Sequence, residues 1–237
     1  MSFLHIVTWK WGTTFGPEYV NKLQIMLKRH LSTPHQLHCI TDDPAGIDDF
    51  VLCHPMYSDH GAMTAGNRAC FRRLRIFDKA MREQFGPRIL QLDLDIVITG
   101  DMTPVFDRPE PLVLCWQGTN PSTKLTTYNP SMLLMDAGVM HEMWENFNAR
   151  PHAVWAEARK NGWRQSDMSI INNELMKGKI QFGSWNEKDG IYTYWRDLRR
   201  TNYELPADAR AVLFYGKHNP GDAEVLSKCP WVSDHWR

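Results

Sequence analysis

The sequence predicts an α/β fold, with helices layered on a sheet that is mainly parallel and becomes mixed toward the end of the chain. Three observations carry this expectation. Apolar, partly β-branched runs alternate with amphipathic segments through the first part of the chain, as in a parallel sheet with crossover helices. Two later apolar runs, Pro111–Gly118 and Thr127–Asp136, are separated only by a polar loop, as antiparallel neighbours can be. No internal repeat, low-complexity stretch or linker divides the 237 residues, a length suited to one sizeable core.

Each element has a local reason. His5–Trp9 is a β-branched run closed by Lys10-Trp11-Gly12. Gly16-Pro17 opens a helix with proline in its first turn, and Val20, Leu23, Leu27 and Leu31 recur on one face. Gln36–Thr41 is a second strand ended by the Asp42-Asp43-Pro44 turn, and Phe50–Pro55 a third. One long helix is expected over Asn67–Phe85, burying Phe71, Leu74, Met81 and Phe85, before Gly86-Pro87 stops it. Ile89–Asp101 then reads as a strand. Helices are expected at Val139–Phe147, at His152–Lys160 and after Ser166, whose hydroxyl suits an N-cap, and Ala211–Gly216 reads as a late strand.

The run Ile89–Asp101 holds two acids, Asp93 and Asp95, among leucines and isoleucines. Residues two apart on a strand share a face, so the carboxylates lie side by side or converge where the strand ends. Two like charges in apolar surroundings repel and lose hydration, which a cation between them relieves. Carboxylate oxygens favour Mg²⁺ or Mn²⁺, ions that keep positions open for phosphate oxygens. The preceding helix brings Arg68, Arg72, Arg73 and Arg75, and an arginine beside the acids can hold a carboxylate or a phosphate bidentately. Asp-x-Asp alone is weakly specific, because one or both acids can equally cap a loop or pair with an arginine.

Composition narrows the partners. Twenty-seven basic residues balance 27 acidic ones, so no basic field is available for a nucleic-acid backbone. No apolar run approaches the roughly 20 residues that span a bilayer, and the N-terminus reads as a strand rather than a signal peptide. The five cysteines have neither zinc-ligand nor redox-pair spacing and are expected as reduced thiols in a cytoplasmic protein.

Taken in order, these segments resemble a known family. Leu92–Phe106 looks like the Asp-x-Asp strand and following loop of family-eight-like glycosyltransferases with the GT-A fold, a group including glycogenin and bacterial lipopolysaccharide galactosyltransferases. Trp9–Leu31 with His38–Asp48 is similar to the opening of a bacterial branch of these enzymes. Cys70–Phe77 resembles the segment before the Asp-x-Asp strand, with Arg73 at a lysine position, and Tyr128–Asp136 resembles the strand that faces the sugar.

The resemblance implies one glycosyltransferase domain over residues 1–237. Its nucleotide-binding half would be 1–100, ending in the Asp-x-Asp motif, and its acceptor and sugar half 101–237. It implies transfer of a sugar, with retention, from a nucleotide-diphosphate sugar (a UDP sugar foremost) to a glycan or other hydroxyl acceptor, with Mn²⁺ or Mg²⁺. Thr8, Trp9, Asp42 and Asp43 would meet the nucleotide, and Asp93, Leu94, Asp95 and Lys217 the diphosphate and its metal. Asp167 would approach the sugar and Asn129 the sugar or the acceptor, and Arg73, at the lysine position, is the third catalytic candidate. Two departures stand out. Met168 replaces the family's glutamine after Asp167, and Tyr215 replaces its metal-binding histidine, leaving His218 or Tyr215 as third-ligand candidates. Tyrosine is a poor ligand at neutral pH because its phenol stays protonated. The alternatives are a catalytically impaired nucleotide-sugar binder, motivated by these departures, and a sugar nucleotidyltransferase. The latter usually carries a glycine-rich phosphate loop, and Trp9–Tyr19 is not glycine-rich.

Overall fold

The computed structural model describes residues 3–58, 66–122, 124–163 and 166–237, with side chains left out at 66–69, so Arg68 lies outside the described side chains. The central sheet has seven strands in the order β3-β2-β1-β4-β7-β6-β8. Its parallel part is β1 (Leu4–Lys10), β2 (His35–Thr41), β3 (Leu52–Pro55) and β4 (Arg88–Leu92). β7 (Thr126–Asp136) runs antiparallel to both β4 and β6 (Leu112–Thr119), and β8 (Gly183–Trp185) pairs parallel with β6. The mixed, mainly parallel sheet is therefore as expected.

Helix α1 (Pro17–His30) begins at the proline and buries Val20, Leu23, Met26 and Leu27. Two apolar layers sandwich the sheet. One, with Ile6, Leu23 and Leu37, takes in Val105 and Phe106 of the short helix α3 (Thr103–Phe106) and continues into the C-terminal region through Val212 and Trp236. The other joins Val7, Trp9 and Phe71 to α4 (His141–Ala149), α5 (Pro151–Lys160) and α6 (Asp167–Leu175).

Two expectations are corrected. The long helix over Asn67–Phe85 is a 3₁₀ helix, Gly66–Phe77, followed by the short α2 (Met81–Phe85). Asp78 breaks it, its carboxylate accepting from the Ala80 backbone N–H at 3.0 Å, a local alternative to the helical ladder. Nevertheless Phe71, Leu74, Met81 and Phe85 are all buried.

The run Ile89–Asp101 is likewise not one strand. β4 ends at Leu92, and β5 (Ile96–Ile98) belongs to a second sheet of order β5-β10-β9, with β9 (Ile191–Thr193) and β10 (Ala211–Leu213). Asp93-Leu94-Asp95 is the bend between the two sheets. The late strand is correspondingly shorter than Ala211–Gly216, but Phe214 N–H still donates to the Asp95 carbonyl at 2.9 Å. All five cysteines are free, Cys53 exposed and Cys39, Cys115 and Cys229 buried. Among the described residues, no helix is long and apolar enough to cross a membrane.

Candidate active site

The bend gives the two acids different surroundings. The Asp93 backbone N–H donates to the Ser131 carbonyl at 2.8 Å, tying the corner to a bulge in β7. There Leu114 pairs with Leu133 but Cys115 with Asn129, so the intervening β7 residues are left out of the β6 ladder. The Asn129 amide oxygen accepts from the Ser131 N–H at 2.8 Å and braces this bulge. Asn129 thus reaches the motif through the backbone it holds. Leu94 lies between the acids with its side chain buried, 2% exposed.

Arg73 joins what the sequence separates. Its Nε donates to Asp167 Oδ2 at 2.8 Å, its Nη2 lies 2.5 Å from the same oxygen, and its Nη1 donates to Asp93 Oδ1. α6 delivers Asp167 from its first turn, and Ser166 caps that helix by accepting from the Ser169 N–H at 3.3 Å. The helix is pinned to β7 by Asn172, whose amide accepts from Tyr128 N–H at 2.8 Å and donates to Tyr128 C=O at 2.7 Å. Sequence reasoning missed Asn172; the signal was an Asn-Asn pair on an apolar helix, where a buried amide must find partners.

The electrostatics follow from burial and a charge imbalance. The Asp95 carboxyl is pushed well above the usual carboxylate range, by burial first and by the Asp93 charge second. Asp167 is also raised by burial, against the pull of Arg73. Burial opposes the Arg73 charge, but Asp167 and Asp93 outweigh it and its pKa rises. Three carboxyls therefore share one guanidinium, and burial with the Asp93 charge favours a proton on Asp95 until a further cation arrives.

Asp93 and Asp95 border a pocket of about 150 Å³ with Arg73, Trp9, Trp11 and Phe15. Trp9 is fixed there by its indole N–H, which donates to Gln91 Oε1 at 2.9 Å. Arg72 stacks on Trp11, 5.2 Å from the ring centroid. Thr8 is fully buried and its hydroxyl has no hydrogen-bond partner. Asp42 accepts from the Gly12 N–H at 2.9 Å, and Asp43 from the Ala45 N–H at 3.0 Å. These two carboxylates thus shape the loops after β1 and β2, and neither they nor Thr8 line the pocket.

The loop after β10 meets the same corner through the Phe214–Asp95 bond. Tyr215 is half-buried, and Lys217 is exposed on this loop. His218 is buried, its ring 5.1 Å from Trp195 and 5.4 Å from Tyr194. The third-ligand candidate His218 is thus packed among aromatic rings. Among the described residues, no group of three or more His, Cys, Asp or Glu side chains is placed to hold a metal. A hard cation would therefore have Asp93 and Asp95 as its protein ligands, with donor phosphates and water completing its shell. The raised Asp95 carboxyl fits such an ion, whose charge would displace the proton.

Neither a family model nor a curated protein sequence matches the chain. Solved structures do. The galactosyltransferase LgtC, crystallised with donor and acceptor sugar analogues, superposes with a TM-score of 0.65 at 13% identity, over 98% of this chain and 96% of that one. GlyE, a glycosyltransferase of Streptococcus pneumoniae TIGR4, gives 0.60 at 15% identity over 93% of this chain and 57% of its own. Mouse xyloside xylosyltransferase 1 gives 0.58 at 13% identity, over 92% of this chain and 98% of its own. Likeness at this identity establishes architecture, and the chain has the fold of the GT-A glycosyltransferases.

Proposed function

We propose that this protein is a glycosyltransferase that moves a sugar, with retention, from a nucleotide-diphosphate sugar, foremost a UDP sugar, to a hydroxyl acceptor. The observation that carries the reading is the Arg73 bridge between Asp93 and Asp167 at the corner where the two sheets meet. It sets a charged cluster beside an aromatic pocket, in a fold shared with a galactosyltransferase crystallised with donor and acceptor analogues.

In this reading Trp9 and Trp11 offer flat surfaces to the nucleotide, and the acids of the corner face its diphosphate. As the glycosidic bond breaks, negative charge grows on the leaving diphosphate while the sugar carbon becomes oxocarbenium-like. Lys217, on the loop joined to the corner, is the side chain that would meet the departing charge. A Mn²⁺ or Mg²⁺ ion held by Asp93 and Asp95 would act as a Lewis acid on the diphosphate oxygens. Arg73 holds Asp167 in place before substrate arrives and opposes the effect of burial on its charge, so little reorganisation is needed when positive charge develops on the sugar. Asn129 is a positioning residue, through the bulge it braces.

The test is a panel of UDP, GDP and CDP sugars with Mn²⁺ or Mg²⁺ and mixed glycan acceptors, reading release of free nucleoside diphosphate. Release above the no-enzyme control, with loss in Asp93→Asn, is the expected result. Pyrophosphate release from a nucleoside triphosphate would replace the reading with a nucleotidyltransferase. Met168 and Tyr215 favour a second reading, a nucleotide-sugar binder without transfer, which binding without turnover across the panel would establish.

A further inference from the structure

Part of the wall of the pocket beside Asp93 and Asp95 comes from the loop after β1, which supplies Trp11, Thr14 and Phe15. Trp9 is only 5% exposed and its indole N–H is committed to Gln91, so Trp11, which is half-buried, keeps more ring surface for a ligand. The chain around Trp11 has little support of its own. Gly12 follows it in a left-handed conformation, φ +59°, and residues 12–14 are exposed. An aromatic on an unrestrained loop would have to be ordered as its ligand arrives, at a cost in affinity.

Two groups from outside the loop restrain it in advance. The Asp42 carboxylate, from the turn after β2, accepts from the Gly12 N–H at 2.9 Å. The Arg72 guanidinium, from the 3₁₀ helix, lies over the Trp11 ring at 5.2 Å from its centroid, inside the roughly 6 Å reach of a cation–π contact. The two restraints are coupled, since burial lowers the Arg72 pKa and the Asp42 charge opposes that fall. Trp11 lines the pocket, whereas neither Arg72 nor Asp42 is among the described residues that do. Arg72 thus occupies one face of the indole, and the rest of the ring is what Trp11 presents to the pocket. A planar nucleobase is the part of a nucleotide sugar that gains most from a flat indole.

We propose that Arg72 is a positioning residue for the donor nucleotide: stacked on one face of Trp11 and assisted by Asp42, it holds the indole ready to receive the nucleobase. The inference rests on the nucleotide-sugar reading and specifies how that site takes the base. It gives the two neighbouring arginines separate roles. Arg73 turns to Asp93 and Asp167 at the acidic corner, and Arg72 backs the aromatic wall. A guanidinium in that place strengthens binding without touching the ligand, because the ring is ordered beforehand.

The experiment is fluorine NMR of the full chain labelled with 5-fluorotryptophan, the Trp11 resonance being assigned by its loss in Trp11→Phe. UDP, GDP and CDP are titrated with Mg²⁺ at about 0.05 and 0.5 M salt. Arg72→Met keeps a long side chain and removes the cation; Asp42→Ala removes the acceptor of the Gly12 N–H. The expected result is that the tightest-binding nucleotide moves the Trp11 resonance and that both variants shift or broaden this resonance without ligand. Each variant weakens that nucleotide about two- to fivefold, by the same factor at both salt concentrations, and Trp11→Ala weakens it about fivefold or more. Unchanged affinity in Arg72→Met overturns the proposal. So does a loss in Arg72→Met that vanishes at high salt, which would set the guanidinium against the diphosphate instead. Unchanged affinity in Trp11→Ala overturns it and leaves the donor reading standing. Failure of the wild type to bind any of the three nucleotides removes the nucleotide-sugar reading itself.

Discussion

Replacing Arg73 with glutamine tests the charge arrangement of the site. The guanidinium is 13% exposed, and its partners Asp93 and Asp167 are 18% and 4% exposed. Removing one partner of a buried ion pair costs about 3–5 kcal/mol, because the remaining charge stays desolvated. In a chain of this size each kcal/mol lowers the midpoint by roughly 2–4 °C, so Arg73→Gln should melt roughly 6–20 °C below wild type. The charges left uncompensated are those of Asp93 and Asp167, so Asp167→Asn in the Arg73→Gln background should recover part of the loss. The sign with pH is also set. Asp167 has a folded pKa above its unfolded value, so its stability contribution is present at low pH and is lost as pH rises through that folded pKa. Without Arg73 the folded pKa rises further, and the gap between wild type and variant should be wider at pH 8 than at pH 5. Urea denaturation of the wild type, both single variants and the double variant at the two pH values checks this. A loss below about 1 kcal/mol, the range of exposed pairs, or no coupling to Asp167→Asn, would refute the reasoning.

Three further outcomes are expected. Asp95→Asn removes a proposed cation ligand and a carboxyl that burial already disfavours, so it should abolish any Mn²⁺-dependent thermal shift while leaving the metal-free midpoint at or above wild type; a full shift in the variant would exclude Asp95 as a ligand. Asn172→Ala leaves the Tyr128 N–H and C=O unpaired and should cost about 2–4 kcal/mol by urea denaturation, at about 1–3 kcal/mol per unsatisfied group with partial overlap between the two. His38 is buried between His5 and His54, and its pKa is lowered to about 4 by burial first and those rings second. The unfolded state binds more protons between pH 6.5 and 4, so stability should fall by at most about 3 kcal/mol on acidification through that window, and His38→Gln should flatten the decline.

How much of this the sequence showed depends on whether the cause was local. β1, α1, β2 and α6 were legible because β-branched runs, Pro17 at a helix start and Ser166 at a cap act within a few residues. The corner at Asp93–Asp95 was hidden because β4 and β5 are both apolar and contiguous, and only their partners, β1 and β7 for one and β10 for the other, reveal that the chain changes sheets. β8 and β9 are three residues each and exist through pairing, which leaves no periodic trace. Asp93 and Asp167 were both identifiable as candidates, and Arg73 as a lysine substitute. Their union through one guanidinium was not readable, since Arg73 and Asp167 are 94 residues apart. Nor could sequence show that Asn129 is committed to Ser131, or that His218 is enclosed by Tyr194 and Trp195.

The bond from Phe214 to the Asp95 carbonyl also orders events during synthesis. Most of the seven-stranded sheet can pair while the C-terminal region is still inside the ribosome, because its last strand, β8, ends at Trp185. β5 must wait for β10, whose residues lie at the far end of the chain, and such long-range pairings form late. A nascent chain arrested before Ala211 would therefore leave Ile96, Val97 and Ile98 packed on α1 but without their strand partner, and the bend that holds the aspartates without the Phe214 bond. The acidic corner is completed only after β10 has been made, and a chain cut short before it would be a target for proteolysis before it could engage any ligand at that corner.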